Sequence, residues 1–268
     1  MDETITVVTD PTDFNREGRL PMSRLFTFAE MARRKSFYSG LLADMVSFTG
    51  GTIVVKAQAY HFASGFDGLL DTFLEIKPVN LLVEQRMVSI GKTSFVLRYQ
   101  FTRLADDKLT RLSLLAYGYA AIVSVANGHP CAIPEDIHSR MVQGIVQDEE
   151  SSILRSTGNT LADKIKANDV ITATLKAKLR SSDEDSTPHV NHARYCQLFE
   201  DAARLVDPSP PCFMYLDYVK ETKRGMTCSL TVRLSNTTDK EGVVQMEHDG
   251  GVICQGVVRW RASPEGRL

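Results

Sequence analysis

Apolar and polar positions alternate from Thr4 to Asp10, which predicts a strand, and the polar stretch Pro11 to Arg19 ends it with turn-forming residues. From Leu20 to about Met45 the apolar period changes to that of a helix, with Leu25, Phe28, Ala29 and Ala32 on one face and Phe37 and Leu41 continuing it. Pro21 falls in the first turn, where a missing N–H costs least. Five strands are expected next, over Thr52 to Tyr60, Leu69 to Lys77, Leu82 to Ile90, Thr93 to Arg103 and Leu109 to Val125. Turn signals at Gly65–Gly68, Lys77–Asn80, Gly91 and Asp106–Asp107 separate them. The pattern is one long helix followed by an antiparallel set of strands.

Between Pro130 and Lys166 the rhythm breaks into a short helical stretch and a polar run, read as a linker with some structure of its own. Then the order restarts. Asp169 to Arg180 alternates like a strand, Ser181 to Pro188 is polar, and His189 to about Val206 is helical through Tyr195, Leu198, Phe199 and Ala202. Strands are expected over Phe213 to Glu221, Met226 to Ser235, Val243 to Glu247 and Val252 to Trp260. The two turn-to-helix junctions superpose at one offset: Asp13 to Glu30 and Asp183 to Glu200 each span 17 positions. The chain is therefore divided into an N-terminal domain at 1–135, a linker at 136–168 and a C-terminal domain at 169–268.

His189-Val190-Asn191-His192-Ala193-Arg194-Tyr195, followed by Phe199-Glu200, resembles the D-x-D-x-x-G-H-V-N-N-A-x-Y…F-E signature of 4-hydroxybenzoyl-CoA-thioesterase-like hotdog proteins. Plant acyl-ACP thioesterases, which are double hotdogs, carry a similar stretch. The first half resembles the signature through Asp13, Gly18 and Glu30-Met31-Ala32-Arg33, and Val123 to Pro134 is similar to the family's strand end and I-P closure. The resemblance implies an α+β chain with a tandem (double) hotdog fold, each half a long helix wrapped by an antiparallel sheet. It also implies an acyl-CoA or acyl-ACP thioester as substrate, with thioester hydrolysis as the leading activity. The family's base or nucleophile, the second Asp of D-x-D, falls on Asp185. The plant enzymes' His falls on His189, their Asn on Thr187, and their strand Glu near Glu221.

The chemistry those positions offer is consistent with hydrolysis, which needs a water activator and a donor for the carbonyl oxygen. Asp185, His189 and Asn191 bracket the start of a helix, whose N–H groups and dipole favour an oxyanion. The expected catalytic set is Asp185, His189, Asn191 and Glu221, with Asn15, Arg19, Glu30, Val190 and Glu200 as substrate-binding residues. The first half has Asn15 and Arg19 where the second has Asp185 and His189. An amide is no base, so that half is expected to bind rather than react. The alternatives are a non-catalytic hotdog that binds acyl groups or serves in a larger assembly, and a hotdog dehydratase.

Composition narrows the partners. Charged residues make up 24%, the net charge is −2 and hydrophobic residues reach 43%, a globular profile with no basic surface for nucleic acid. A local basic run, Arg33-Arg34-Lys35, is the candidate contact for an acidic carrier protein. No stretch approaches a membrane span, and the start lacks a signal-peptide pattern. The five scattered cysteines indicate neither disulfides nor zinc, which fits a reducing, cytoplasmic setting; no metal or cofactor is expected. A homodimer is one assembly open to a fused pair. Three decoys fail on their own residues. Gly91-Lys92-Thr93 has Arg86 where a phosphate loop needs glycine, and His61 to Gly65 is followed by Leu70 where a dehydratase motif has proline. No G-x-S-x-G is present.

Overall fold

The computed structural model describes residues 2–15, 20–38, 52–64, 66, 78–146, 148–167, 171–184, 189–234 and 240–261. The chain divides into two compact units, Met1–Leu154 and Arg155–Leu268.

In the first unit, β1 (Asp2–Val8) leads through a 3-10 turn at Pro11–Asp13 to α1 (Met22–Tyr38). β2 (Thr52–Phe62), β3 (Asn80–Ile90), β4 (Ser94–Leu104) and β5 (Arg111–Ala126) follow. A two-residue strand, β6 (His129–Pro130), pairs with the end of β5. The sheet order is β1-β3-β4-β5-β2, with each neighbouring pair antiparallel. Alternation on β4 puts Phe95, Leu97, Tyr99 and Phe101 inside, and α1 covers β1 and β3 with Leu25, Phe26, Ala29 and Ala32. The strand expected over Leu69 to Lys77 and the helix beyond Tyr38 lie outside the described residues.

The segment expected as a linker carries two helices, and the division between units falls within it. α2 (Glu135–Val142) buries Ile137 and Met141 in the first unit. α3 (Ile153–Ala167) buries Leu161 in the second and contacts Glu241 through Lys164.

The second unit repeats the plan. β7 (Ala173–Lys178), a 3-10 turn at Ser181–Asp183, α4 (His192–Arg204), β8 (Pro211–Tyr218), β9 (Thr227–Leu234), β10 (Glu241–His248) and β11 (Gly251–Trp260) follow in order. The sheet order is β8-β11-β10-β9-β7, all antiparallel, so β7 to β11 occupy the places of β1 to β5. The repeat extends to side chains at the same offset as the sequence repeat. Asp13 and Asp183 each accept from the backbone N–H three residues earlier and each pair with a helix arginine at 3.3 Å, Arg24 and Arg194. Among the described residues, no helix is long and apolar enough to cross a membrane. All five cysteines are free thiols.

Candidate active site

Backbone pairings hold the residues that flank the turn before α4. Glu184 bridges Val190 in antiparallel fashion, and Asn191 N–H donates to the Asp183 carbonyl at 2.8 Å. Val190 N–H reaches the Thr222 carbonyl at 3.4 Å, while Leu179 donates to the Met226 carbonyl and accepts from Gly225 N–H, both in the segment after β8. That segment, residues 219–226, therefore lies alongside the turn. Its position is reinforced from below, where Tyr195 OH and Thr222 Oγ1 share a buried hydrogen bond. Burial pushes the Tyr195 hydroxyl pKa up, so it stays neutral as part of the scaffold.

These pairings bring together two of the residues expected to be catalytic. His189 Nδ1 lies 3.3 Å from Glu221 Oε2, with the imidazole 40% and the carboxylate 60% exposed. The contact is electrostatic rather than an aligned hydrogen bond, because His189 Nδ1 has no hydrogen-bond partner among the described residues. Glu221 was expected on a strand. The structure ends β8 at Tyr218 and holds Glu221 in the following connection, because Val219 and Lys220 both donate to Ile253 O and the ladder stops there.

Asn191, expected among the catalytic residues, is the N-cap of α4: its Oδ1 accepts from Ala193 N–H at 2.7 Å. Four N–H groups at this helix end, those of Val190, Asn191, Ala193 and Arg194, donate within the protein. They do not serve an oxyanion, although the helix dipole there still favours one. Asp185 lies outside the described residues, as do Thr187 and Arg19.

Among the expected substrate-binding residues, Val190 is buried and contributes its backbone to the bridge, and Asn15 is half-buried after the first 3-10 turn. Glu30 and Glu200 are buried on their helices, and each pairs with an arginine one turn on, Arg34 at 2.5 Å and Arg204 at 3.0 Å. The basic run Arg33-Arg34-Lys35 is not a free surface. Arg33 is only 5% exposed, Arg34 pairs with Glu30, and Lys35 pairs with Glu3 at 3.0 Å. Helical periodicity explains the difference, since Arg33 faces inward one position after Ala32.

Sequence reasoning missed Thr222 and Tyr195, which brace the loop carrying Glu221. Their signal was faint: a tyrosine on the apolar face of a predicted helix, and a threonine past a strand end.

No family model matches the sequence, and no curated protein does. Solved structures do. A protein assigned as an oleoyl thioesterase from Lactobacillus plantarum aligns with a TM-score of 0.74 at 17% identity, covering 99% of this chain and 98% of its own. A 12:0-ACP thioesterase from Umbellularia californica gives 0.72 at 13% identity, with 98% of both chains covered. An acyl-ACP thioesterase from Bacteroides thetaiotaomicron gives 0.66 at 18% identity, covering 97% of this chain and 98% of that one. These likenesses run the full length of the chain and establish its fold as a tandem hotdog, as the helix-start motif implied.

Proposed function

We propose that the chain hydrolyses acyl thioesters carried by coenzyme A or an acyl carrier protein, with its chemistry at the turn before α4. The observation that carries this reading is the His189–Glu221 contact at 3.3 Å, held at a helix start by a braced turn. The full-length likeness to thioesterases supports the reaction class by analogy of fold.

In this reading Asp185 takes the proton of a water molecule, the resulting hydroxide adds to the thioester carbon, and the C–S bond breaks as the oxyanion collapses. Glu221 beside Nδ1 orients the imidazole in this reading. Asn191 acts as a positioning residue by fixing the first turn of α4, and Val190 helps through its backbone bridge to Glu184. The thiol of the carrier leaves with the proton released from water.

The non-catalytic reading has one specific observation in its favour: four of the N–H donors at the helix end are already taken. A free-thiol release assay over acyl-CoA and acyl-ACP substrates decides between the two. Thiol release that falls in Asp185→Asn supports hydrolysis, and no release from any substrate supports a binding protein.

A further inference from the structure

Thr222 is fully buried, although its neighbours Glu221 and Lys223 are exposed. A hydroxyl turned inward from a loop needs a partner, and this one shares a hydrogen bond with Tyr195 OH on α4. Tyr195 also reaches the Thr222 backbone. On the other side of the same residue, the Thr222 carbonyl accepts from Val190 N–H at 3.4 Å. Thr222 is thus held at its side chain by the helix and at its carbonyl by the turn that precedes the helix. His189 adjoins Val190 in the chain, and Glu221 adjoins Thr222. The 3.3 Å contact of His189 Nδ1 with Glu221 Oε2 therefore joins two residues that each lie one peptide bond from this pairing. The Glu221 carboxylate is 60% exposed, so the backbone that carries it orients it more than packing does.

The first unit provides the internal control. Tyr195 follows Arg194, which pairs with Asp183, and Leu25 follows Arg24, which pairs with Asp13. Leu25 is fully buried at that place, so an apolar side chain satisfies the packing of such a helix on its sheet. In the second unit the ring is fixed further by Tyr218, which stands edge-on to Tyr195 at 5.3 Å and to His192 at 4.7 Å. The hydroxyl is an addition, and it occurs in the unit that carries the histidine–carboxylate contact.

We propose that Tyr195 and Thr222 are positioning residues that act through Glu221: their shared hydrogen bond sets residues 219–226 against the turn and so holds the carboxylate against the His189 imidazole. Neither side chain touches the reacting groups. One buried hydrogen bond suffices for this role, because a misplacement of about 1 Å can cost on the order of 10²-fold in rate. The same helix that begins beside His189 carries Tyr195, so the two halves of the contact are tied to one rigid element. The inference rests on the proposed function for the reaction it serves, while the contact it controls is measured without turnover.

The test reads His189 directly as well as turnover. The imidazole resonances of His189, assigned by their loss in His189→Gln, are recorded by NMR on the full chain. The wild type is compared with Glu221→Gln, Thr222→Val, Thr222→Ser, Tyr195→Phe and the double variant Thr222→Val/Glu221→Gln, with thermal melting and thiol release alongside. Thr222→Val and Tyr195→Phe should move the His189 signals as Glu221→Gln does, and lower kcat to a similar extent, about tenfold, with KM little changed. Thr222→Ser, which keeps the hydroxyl, should restore both. The double variant should match Glu221→Gln alone, because a residue that acts only through Glu221 then has nothing left to position. His189 signals unmoved in folded Thr222→Val and Tyr195→Phe, no rescue by Thr222→Ser, or losses that add in the double variant would overturn the proposal. Absence of thiol release from the wild type would instead remove the proposed hydrolysis, and the His189 signals would still decide whether Tyr195 and Thr222 hold the contact.

Discussion

Glu221 Oε2 stands 3.3 Å from His189 Nδ1, and in the proposed reading that contact orients the ring. Asp185→Asn keeps the size of the proposed base and removes its function, so thiol release should drop by about 10²–10⁴-fold with the melting temperature little changed. Glu221→Gln should cost less, because it weakens orientation without removing a base. Asn15→Ala should be milder than Asp185→Asn, since an amide supplies contacts only. Steady-state rates on the best thioester rank these variants, and a larger loss in Asn15→Ala would move the working site to the first unit. The motif spacing made His189 and Asp185 visible in the sequence. Glu221 was found only by allowing a gap, and its place in a loop was not legible, because the ladder ends through backbone bonds to Ile253 that carry no side-chain signature. Arg33 was misplaced on the surface for the opposite reason: a charged side chain at a core-facing helical position reads as solvent-exposed unless the burial is seen.

At the scale of elements, the helix faces and strand alternations were strong signals, and most observed boundaries lie within a few residues of the expected ones. The strand expected to run to Arg180 ends at Lys178 as β7, because the chain leaves the ladder into the turn that positions Asp183. The glycines beneath the helices had no such signal. A Cβ at Gly118 would stand 2.3 Å from Tyr60 Cδ1 and 2.7 Å from Ala59 O, and one at Gly256 would stand 2.0 Å from Tyr215 O and 2.9 Å from Phe199 Cε1. Both positions trade a side chain for a neighbouring aromatic ring. Gly118→Ala is expected to lose about 1–3 kcal/mol in urea unfolding through overpacking. Gly256→Ala should lose more, since its closest neighbour is backbone and cannot rotate away. A cheaper Gly256→Ala would contradict this account. At the start of α4, Asn191→Ala removes the cap and should cost about 1 kcal/mol, with activity falling through the disturbed turn rather than through lost chemistry.

At the scale of the whole molecule, two units with one strand order distribute their charges differently. The first places Arg33 in its interior, and the second keeps the corresponding row apolar and buries a carboxylate elsewhere. Glu241, 6% exposed at the start of β10, accepts from Arg259 Nε at 2.7 Å and contacts Lys164 on α3. Burial alone would raise its pKa, but the hydrogen bonds and charges of Lys164 and Arg259 outweigh it and hold the carboxyl below its ordinary 4.5. A carboxylate depressed in the folded state binds protons more readily when unfolded. Its stabilisation is therefore complete above about pH 4.5 and is lost as the pH falls through the lower folded value. Chain-wide, the 33 acidic residues lose their charge over the same range while the 31 basic ones keep theirs, so repulsion adds to the loss. The two contributions separate in Glu241→Gln. At neutral pH that variant should lose about 1–3 kcal/mol, because Lys164 and Arg259 keep partial access to water and are not left as fully buried charges. As the pH falls through the lowered folded value, the gap between variant and wild type should shrink, since the wild-type carboxyl then becomes protonated too. Urea unfolding followed at intervals from pH 7 to pH 3 measures both curves, and a gap that stays constant across that range would show that Glu241 contributes nothing through its charge.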